Sequence, residues 1–278
     1  MLDNLLSGQL SNLESVRNQI ELIKGSVDDK SAVRQAVAGV ELIFHLAAIV
    51  SVPRTIEYPE QAEVTNGLGT LNILDAAKEN GVRRVVFSST AAIYGDKPTL
   101  PKVETQTPHP KVPYAISKLA AEYYCQFYTQ SFGLETVALR YFNAFGPRQD
   151  PSSPYSGVIS IFLDKLQQGV APIIFGDGEQ TRDFLFVSDI AQANLLAAQV
   201  PQAAGQVFNI GTGRQVSINQ LYENLADILN FEDTPVYQPT RSGDIRYSVA
   251  NATKAREILG WSPQVTFEDG LRQLVSSM

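Results

Sequence analysis

The sequence predicts an α/β fold built on a parallel, doubly wound sheet, and three observations predict it. Short apolar runs at Glu41–Leu46, Val85–Ser89 and Glu135–Arg140 have the length and composition of buried parallel strands. Longer segments of helical periodicity separate them and stop at glycines, Gly81 and Gly133. Strand and helix then alternate, and such alternation implies right-handed crossovers and a parallel sheet.

In chain order, Met1–Leu5 reads as the tail of a strand entering a loop, and residues 13–20 as a short helix. Ile20–Gly25 reads as a strand ending in a glycine turn, after which Ser31 is expected to cap a helix running to Ala38. The strand at 41–46 follows, then a helix over 66–80, the strand at 85–89, a long helix from Tyr114 to Phe132 and the strand at 135–140. Beyond Asn143 the character changes. Gly146, Pro147, Pro151 and Pro154 punctuate a loop before a helix at 158–168 and a strand at 173–175. The expected organisation is a first domain over 1–143 and a smaller lobe over 144–278, interleaved with the end of the main sheet.

Composition narrows the function. At 278 residues the chain can bury a sizeable core. A net charge of −7, from 22 basic and 29 acidic residues without a basic run, argues against nucleic acid as the main partner. A single cysteine, Cys125, rules out an intramolecular disulfide and suits a reducing compartment. No leader and no apolar run of membrane length stands out, so a soluble cytoplasmic protein with no membrane partner is expected. With two histidines and no clustered ligands, no metal site is expected.

The chemistry centres on Tyr114-Ala115-Ile116-Ser117-Lys118. A tyrosine and a lysine four residues apart on a helix share a face. If that face lines a pocket, the ammonium favours the ionised phenol, and a phenol brought toward neutrality is a usable base for a sugar hydroxyl. The plain alternative is an exposed helix with two snorkelling side chains. In an open parallel sheet, ligands bind beyond the carboxyl ends of the strands. Polar residues at those ends are Asp3-Asn4, Ser26, Ala47-Ala48, Ser88-Ser89-Thr90 and Tyr141-Phe142-Asn143. They are expected to converge on one crevice.

An ordered set of motifs turns these residues into a resemblance. It comprises Leu2-Asp3-Asn4-Leu5, His45-Leu46-Ala47-Ala48, Asn66-x-x-Gly69-Thr70, Ser88-Ser89-Thr90-x-x-Tyr94-Gly95 and Pro113-Tyr114-x-x-x-Lys118. It continues with Arg140-Tyr141-Phe142-Asn143, Gly176-Asp177-Gly178-x-x-x-Arg182-Asp183-Phe184, Arg241-x-Gly243-Asp244 and Leu259-Gly260-Trp261-x-Pro263. The chain resembles the extended short-chain dehydrogenase/reductase family, in particular the nucleotide-sugar 4-epimerases of the UDP-galactose 4-epimerase kind. The resemblance implies a Rossmann-like sheet, NAD as cofactor and a UDP-sugar as substrate.

Carried over residue by residue, Asp3 resembles the acid that takes both adenosine ribose hydroxyls, which favours NAD over its 2′-phosphate. Leu46, Ala47 and Ala48 resemble the turn that lets the cofactor approach the backbone, and Asn66 supports it. Asn4, Ser26, Val27 and Ser88 join the cofactor set, and Phe142 would flank the nicotinamide. Tyr114 would be the base, Lys118 its electrostatic partner and a ligand of the nicotinamide ribose, and Thr90 the hydroxyl at the sugar 4-oxygen. Asn143, Arg182 and Arg241 resemble ligands of the diphosphate, where arginine forks suit phosphate oxygens. Asp244 resembles the ribose carboxylate, and Val158, Phe184 and Val216 belong to the substrate set. Ser248 falls where epimerases restricted to glucose and galactose often carry a bulky tyrosine; a small residue leaves volume for an N-acetyl group.

Other positions have plainer readings. His45 reads as a strand-end residue with a satisfied ring, Cys125 as a packing residue and Tyr94 as packing under the loop. Asp183 reads equally as a ligand or a loop cap. Ala91 and Ala92 stand where related 4,6-dehydratases carry an acid pair, so elimination is not expected. Family dimers pair the helices matching 66–80 and 114–132, so a homodimer is expected, with Ala120, Ala121 and Tyr124 toward the exposed side. Family members begin with a strand, a glycine-rich turn and a helix ahead of the Leu-Asp-Asn segment, a unit of roughly 30 residues. That unit carries the pyrophosphate site at a helix N-terminus. These 278 residues alone are therefore expected to bind NAD weakly or not at all and to epimerise nothing measurable. The readings kept beside epimerisation are a noncatalytic relative that binds a nucleotide sugar or a partner without NAD, and another NAD-dependent nucleotide-sugar-modifying enzyme of the same family.

Overall fold

The structure, a computed structural model, describes residues 1–149, 157–240 and 245–277. In chain order its elements are β1 (Leu2–Asp3), β2 (Ile23–Lys24), α1 (Lys30–Val37), β3 (Leu42–His45), α2 (Val52–Glu57), α3 (Pro59–Ala62), α4 (Gly69–Glu79) and β4 (Arg84–Thr90). Then come α5 (Pro113–Phe132), β5 (Glu135–Tyr141), β6 (Asn143–Phe145), α6 (Val158–Gln167), β7 (Ile173–Phe175), β8 (Thr181–Arg182), β9 (Phe184–Phe186) and α7 (Val187–Gln199). The last are β10 (Val207–Ile210), β11 (Val216–Ser217), α8 (Ile218–Leu229), β12 (Val236–Gln238) and α9 (Phe267–Ser276). They divide into two compact units, one of residues 1–93, 110–140 and 197–208, the other of 94–109, 141–196 and 209–278. Residues 94–109, ahead of the expected boundary at 143, thus belong to the second unit, and 197–208, behind it, to the first.

The first unit is organised by β3, β4, β5 and β10, adjacent in the order β10-β5-β4-β3. β3 and β4 run parallel, Leu42 opposite Arg84 and His45 opposite Phe87. Ala138 N donates to Gln206 O and Phe142 N to Ile210 O, a same-direction stepping that makes β5 and β10 parallel too. β1 and β2 pair in parallel as a sheet of their own. Valines, isoleucine and leucine bury the helices against the strands: Val33, Val37, Ile73, Leu74, Val85 and Phe87 share one core with Cys125 and Tyr128 of α5. A buried arginine, Arg84, fastens the far end by donating to Glu135 at 2.8 Å and to the carbonyls of Ala197 and Val200 at 2.8 and 2.7 Å.

Local chemistry explains most boundaries and corrects one. The helix cap ahead of α1 is Asp29, not Ser31: the Asp29 carboxylate accepts from Ser31 N, Ser31 Oγ and Ala32 N. Both residue types cap well, and the backbone turns at the aspartate. The helix expected from Asn66 begins earlier, because a π-helical run over Glu63–Leu68 leads into α4 without a break. Gly69 sits where a Cβ would come within 2.6 Å of Val27 Cγ2, so only glycine lets α4 lie this close to the loop after β2. Gly133 closes α5 at φ 71°, the left-handed cap expected there. The short helix expected at 13–20 is a 3₁₀ run over Leu10–Gln19.

The second unit holds its own core. An aromatic cluster joins Phe145, Phe184 and Phe267, with Phe184 stacked on Phe267 at 5.4 Å, and α6, α8 and α9 pack leucines around it. β6 pairs β9 in parallel, β8 pairs β11 antiparallel, and β7 pairs β12 in parallel. No helix of the described residues is long and apolar enough to cross a membrane.

Candidate active site

In the first unit the carboxyl ends of β3 and β4 and the start of α5 carry the candidate chemistry. Asn66, inside the π-helical run, stitches the strand-end turn to the helix. Its Oδ1 accepts from Ile49 N at 2.8 Å, and its Nδ2 donates to Ile49 O and to Ser117 Oγ, both at 3.1 Å. These bonds tie Ile49, just past the Leu46-Ala47-Ala48 turn, to the helix, and the leucine and first alanine of that turn stand exposed. His45 is buried and its Nε2 lies 2.9 Å from Thr70 Oγ1. The Thr70 hydroxyl gives its own proton to Asn66 O at 2.6 Å, so the imidazole is the donor. Burial, helped by the charge on Lys118, holds the ring down at about 3, so His45 is neutral at physiological pH. It is a satisfied strand-end residue.

Lys118 is a buried cation beside this turn. Its Nζ donates to Ser88 O at 2.7 Å and stands 4.7 Å over the Phe87 ring. Burial lowers it to about 8, against the pull of Cys125 and Glu122 on the same helix. Tyr114, one turn earlier, departs from expectation. Burial pushes its phenol up, and the side-chain hydrogen bond with Thr90 pulls it only part of the way back. The spacing argument put Lys118 next to the phenol, but desolvation dominates and the ammonium is spent on the Ser88 carbonyl. Thr90 Oγ1 also accepts from Ala92 N at 3.1 Å, which fixes the hydroxyl that meets Tyr114. Cys125 is buried with its thiol pushed up, an inert packing residue.

At the β1 end, Asp3 Oδ1 accepts from Leu5 N at 2.7 Å, which orients the carboxylate at the close of the strand beside Gly8. Asn4 Oδ1 caps Leu6 N at 3.0 Å. After β2, Ser26 O accepts from Asp29 N and Val27 O from Asn72 Nδ2, so both residues hold the loop through their backbones while Val27 is buried. By donor and acceptor chemistry alone, the Asp3 carboxylate suits a vicinal diol and the Lys118 ammonium a hydroxyl oxygen, so the residues present fit NAD.

The second unit carries the rest. Asn143 is exposed, with its N–H on Asp183 O at 3.0 Å. Arg182 Nη1 donates to Thr181 O at 2.9 Å and to Ile245 O at 2.6 Å, and Ser248 N donates to Thr181 O at 3.2 Å, so Arg182 and Ser248 lie on adjoining segments. Val158 opens α6 and is half-buried. Phe142 is 3% exposed, packed near Tyr94 and against Gly211. Phe184 and Val216 are core residues; one side of each meets a crevice of about 250 Å³ shared with Thr212, Arg214 and Phe267. Arg241 and Asp244 lie outside the described residues. Asp183 is a structural knot: its buried carboxylate accepts from Thr212 N and Oγ1, Gly213 N and Ala250 N at 2.6–3.0 Å. Tyr94 is buried with its hydroxyl on Asn209 Oδ1 at 2.6 Å.

The NAD dependent epimerase/dehydratase family matches residues 3–211. The chain belongs to that family. Among solved structures, UDP-glucose 4-epimerase of Thermotoga maritima with UDP-glucose is 40% identical, with a TM-score of 0.94 over 99% of this chain and 89% of that one. UDP-N-acetylglucosamine 4-epimerase of Methanobrevibacter ruminantium with UDP-N-acetylmuramic acid is 37% identical, with a TM-score of 0.95 over 99% and 88%. UDP-glucose 4-epimerase of Thermus thermophilus with NAD is 36% identical, with a TM-score of 0.89 over 99% and 89%. The Rossmann-like α/β fold and the NAD cofactor of the epimerase/dehydratase family are therefore those of this chain.

The residues that sequence reading passed over are Ser117, Thr70 and Glu122. Ser117 and Thr70 anchor Asn66 and His45. Glu122 is wholly buried on α5, where Ser89 Oγ and Arg140 donate to it. The available signal was register, because Glu122 follows Lys118 by four residues and so shares its face.

Proposed function

We propose that the chain is a UDP-sugar 4-epimerase that works by transient oxidation at C4. The observation that carries this is a buried Lys118, fixed on the Ser88 carbonyl one turn after Tyr114 on the same helix of an NAD-dependent family member. Bound NAD accepts a hydride from C4 and returns it. Thr90 would hold the 4-oxygen, Tyr114 in its ionised form would take the hydroxyl proton, and Lys118 would supply the positive field that favours that form and a contact to the ribose. Asn143, Arg182, Arg241 and Asp244 hold the nucleotide diphosphate and its ribose while the 4-keto sugar turns its other face. Asp3, Asn4, Ser26, Val27, the 46–48 turn, Asn66, Ser88 and Phe142 make up the cofactor set. Ala91 and Ala92 place no acid beside Thr90, which favours epimerisation over elimination.

The small Ser248 and the likeness to an N-acetylglucosamine 4-epimerase support a substrate range that includes the N-acetylated pair. A homodimer is proposed through α5, and the exposed row differs from the expected one. Ala121 is buried, whereas Ile116, Tyr123, Tyr124 and Phe127 stand open, Tyr123 at 54%. The location proposed is the cytoplasm. The test is to supply the full-length protein and NAD with UDP-galactose, UDP-glucose or their N-acetyl counterparts and follow the C4 epimer by proton NMR. Epimer formed without net NADH supports the reading; a nucleotide sugar that binds and is returned unchanged overturns it.

A further inference from the structure

Among the buried titratable groups, Glu122 has no part in the mechanism above, yet it touches the machinery from behind. It lies on α5 one turn after Lys118 and is wholly buried. Arg140 of β5 donates to it through Nε at 3.0 Å and Nη2 at 2.8 Å, and Ser89 Oγ of β4 donates to the same carboxylate. Ser89 is the neighbour of Ser88, whose carbonyl holds the Lys118 ammonium at 2.7 Å. Three elements thus close a loop: α5 offers Lys118 and Glu122, β4 offers the Ser88 carbonyl and the Ser89 hydroxyl, and β5 supplies the neutralising guanidinium.

We infer that Glu122 is a positioning residue for the reaction, acting through Ser89 to fix the strand-end carbonyl that aims Lys118. A buried ion pair adds little stability over a well-packed apolar pair, so stability alone gives scant reason for this one. What it supplies is register. The end of β4 cannot slide along α5 without breaking the Ser89–Glu122 bond, and a misplacement of the order of 1 Å costs about a hundredfold in rate. Glu122 acts also through charge. The groups facing Lys118 are Glu122 and Cys125 on α5, His45 on β3 and the Phe87 ring on β4. Of these Glu122 is the paired anion that favours the ammonium against desolvation.

The inference rests on the role given to Lys118, and the test separates the two. In the full-length protein, Ser89→Ala removes the tie and leaves the Glu122–Arg140 pair whole. It is expected to lower kcat about ten- to a hundredfold with KM for the UDP-sugar little changed. Glu122→Gln keeps the shape and removes the charge, so the alkaline limb of kcat, and of NAD affinity by calorimetry, is expected to move down by about one pH unit. Circular dichroism and melting check folding. If Glu122→Gln does not fold, Ser89→Ala decides alone. A folded Ser89→Ala protein with wild-type kcat and pH profile overturns the inference. Lys118→Met guards the reading beneath it: full turnover there overturns the role of Lys118, whereas loss of turnover there with a normal Ser89→Ala enzyme overturns only the role of Glu122.

Discussion

The Asn66 side chain bonds Ser117 across 51 residues of sequence, its Nδ2 donating to Ser117 Oγ at 3.1 Å while its Oδ1 takes the amide of Ile49. One amide side chain therefore couples the turn after β3 to the helix face that carries Tyr114 and Lys118. The chemistry of this unit is held by polar ties between elements, and the predictions below break them or the groups they hold one at a time.

Tyr114→Phe removes the phenolic oxygen and little else. Turnover of the full-length protein is expected to fall by about two to four powers of ten while NAD remains bound. A coupled epimerase assay and the NAD content released on denaturing the same sample check it; near-normal turnover would remove Tyr114 from the mechanism.

His45 makes acid stability measurable. Its folded value of about 3 lies below the unfolded 6.5. Between those values the unfolded chain binds a proton that the folded chain does not, so stability rises with pH and is lost as pH falls from 6.5 toward 3. The loss is at most about 1.4 kcal/mol per pH unit. Melting curves from pH 7 to pH 4 should fall less steeply in His45→Gln than in the parent. Equal slopes would show that the ring titrates freely in the fold.

Ser248→Tyr is expected to cut kcat/KM for the N-acetylated UDP-sugars at least tenfold while sparing UDP-galactose, since a phenol would occupy the volume an acetamido group needs. Competing the two substrates in one tube reads the ratio directly; an unchanged ratio would place the acetamido group elsewhere.

The open aromatic row on α5 predicts a dimer at micromolar concentration. Tyr123→Lys with Phe127→Glu should convert it to monomer without unfolding, because both side chains are about half exposed in the single chain. Light scattering on parent and double variant checks this, and a monomeric parent would sink it.

Much of this was legible in the residues, for identifiable reasons. Val85–Ser89 and Glu135–Arg140 read as strands because both faces are buried and their composition shows it. Gly81 and Gly133 marked helix ends because the left-handed turn favours glycine. The Tyr114–Lys118 pair was visible as spacing, but the direction of the phenol's shift was not, since burial is a property of the fold. Asp183 could not be divided between ligand and cap until four donors were seen to converge on it. Phe184 and Val216 stood in a substrate motif yet serve mainly the aromatic core, a distinction that only packing draws.

The Asp183 carboxylate has a consequence in the time domain. The amides of Thr212, Gly213 and Ala250 all end on its two oxygens, although they belong to chain segments nearly forty residues apart. None of the three can reach solvent deuterium while that carboxylate keeps its place. They should therefore exchange as one set, with a common slow rate and a common response to denaturant, as amides of a single cooperative unit do.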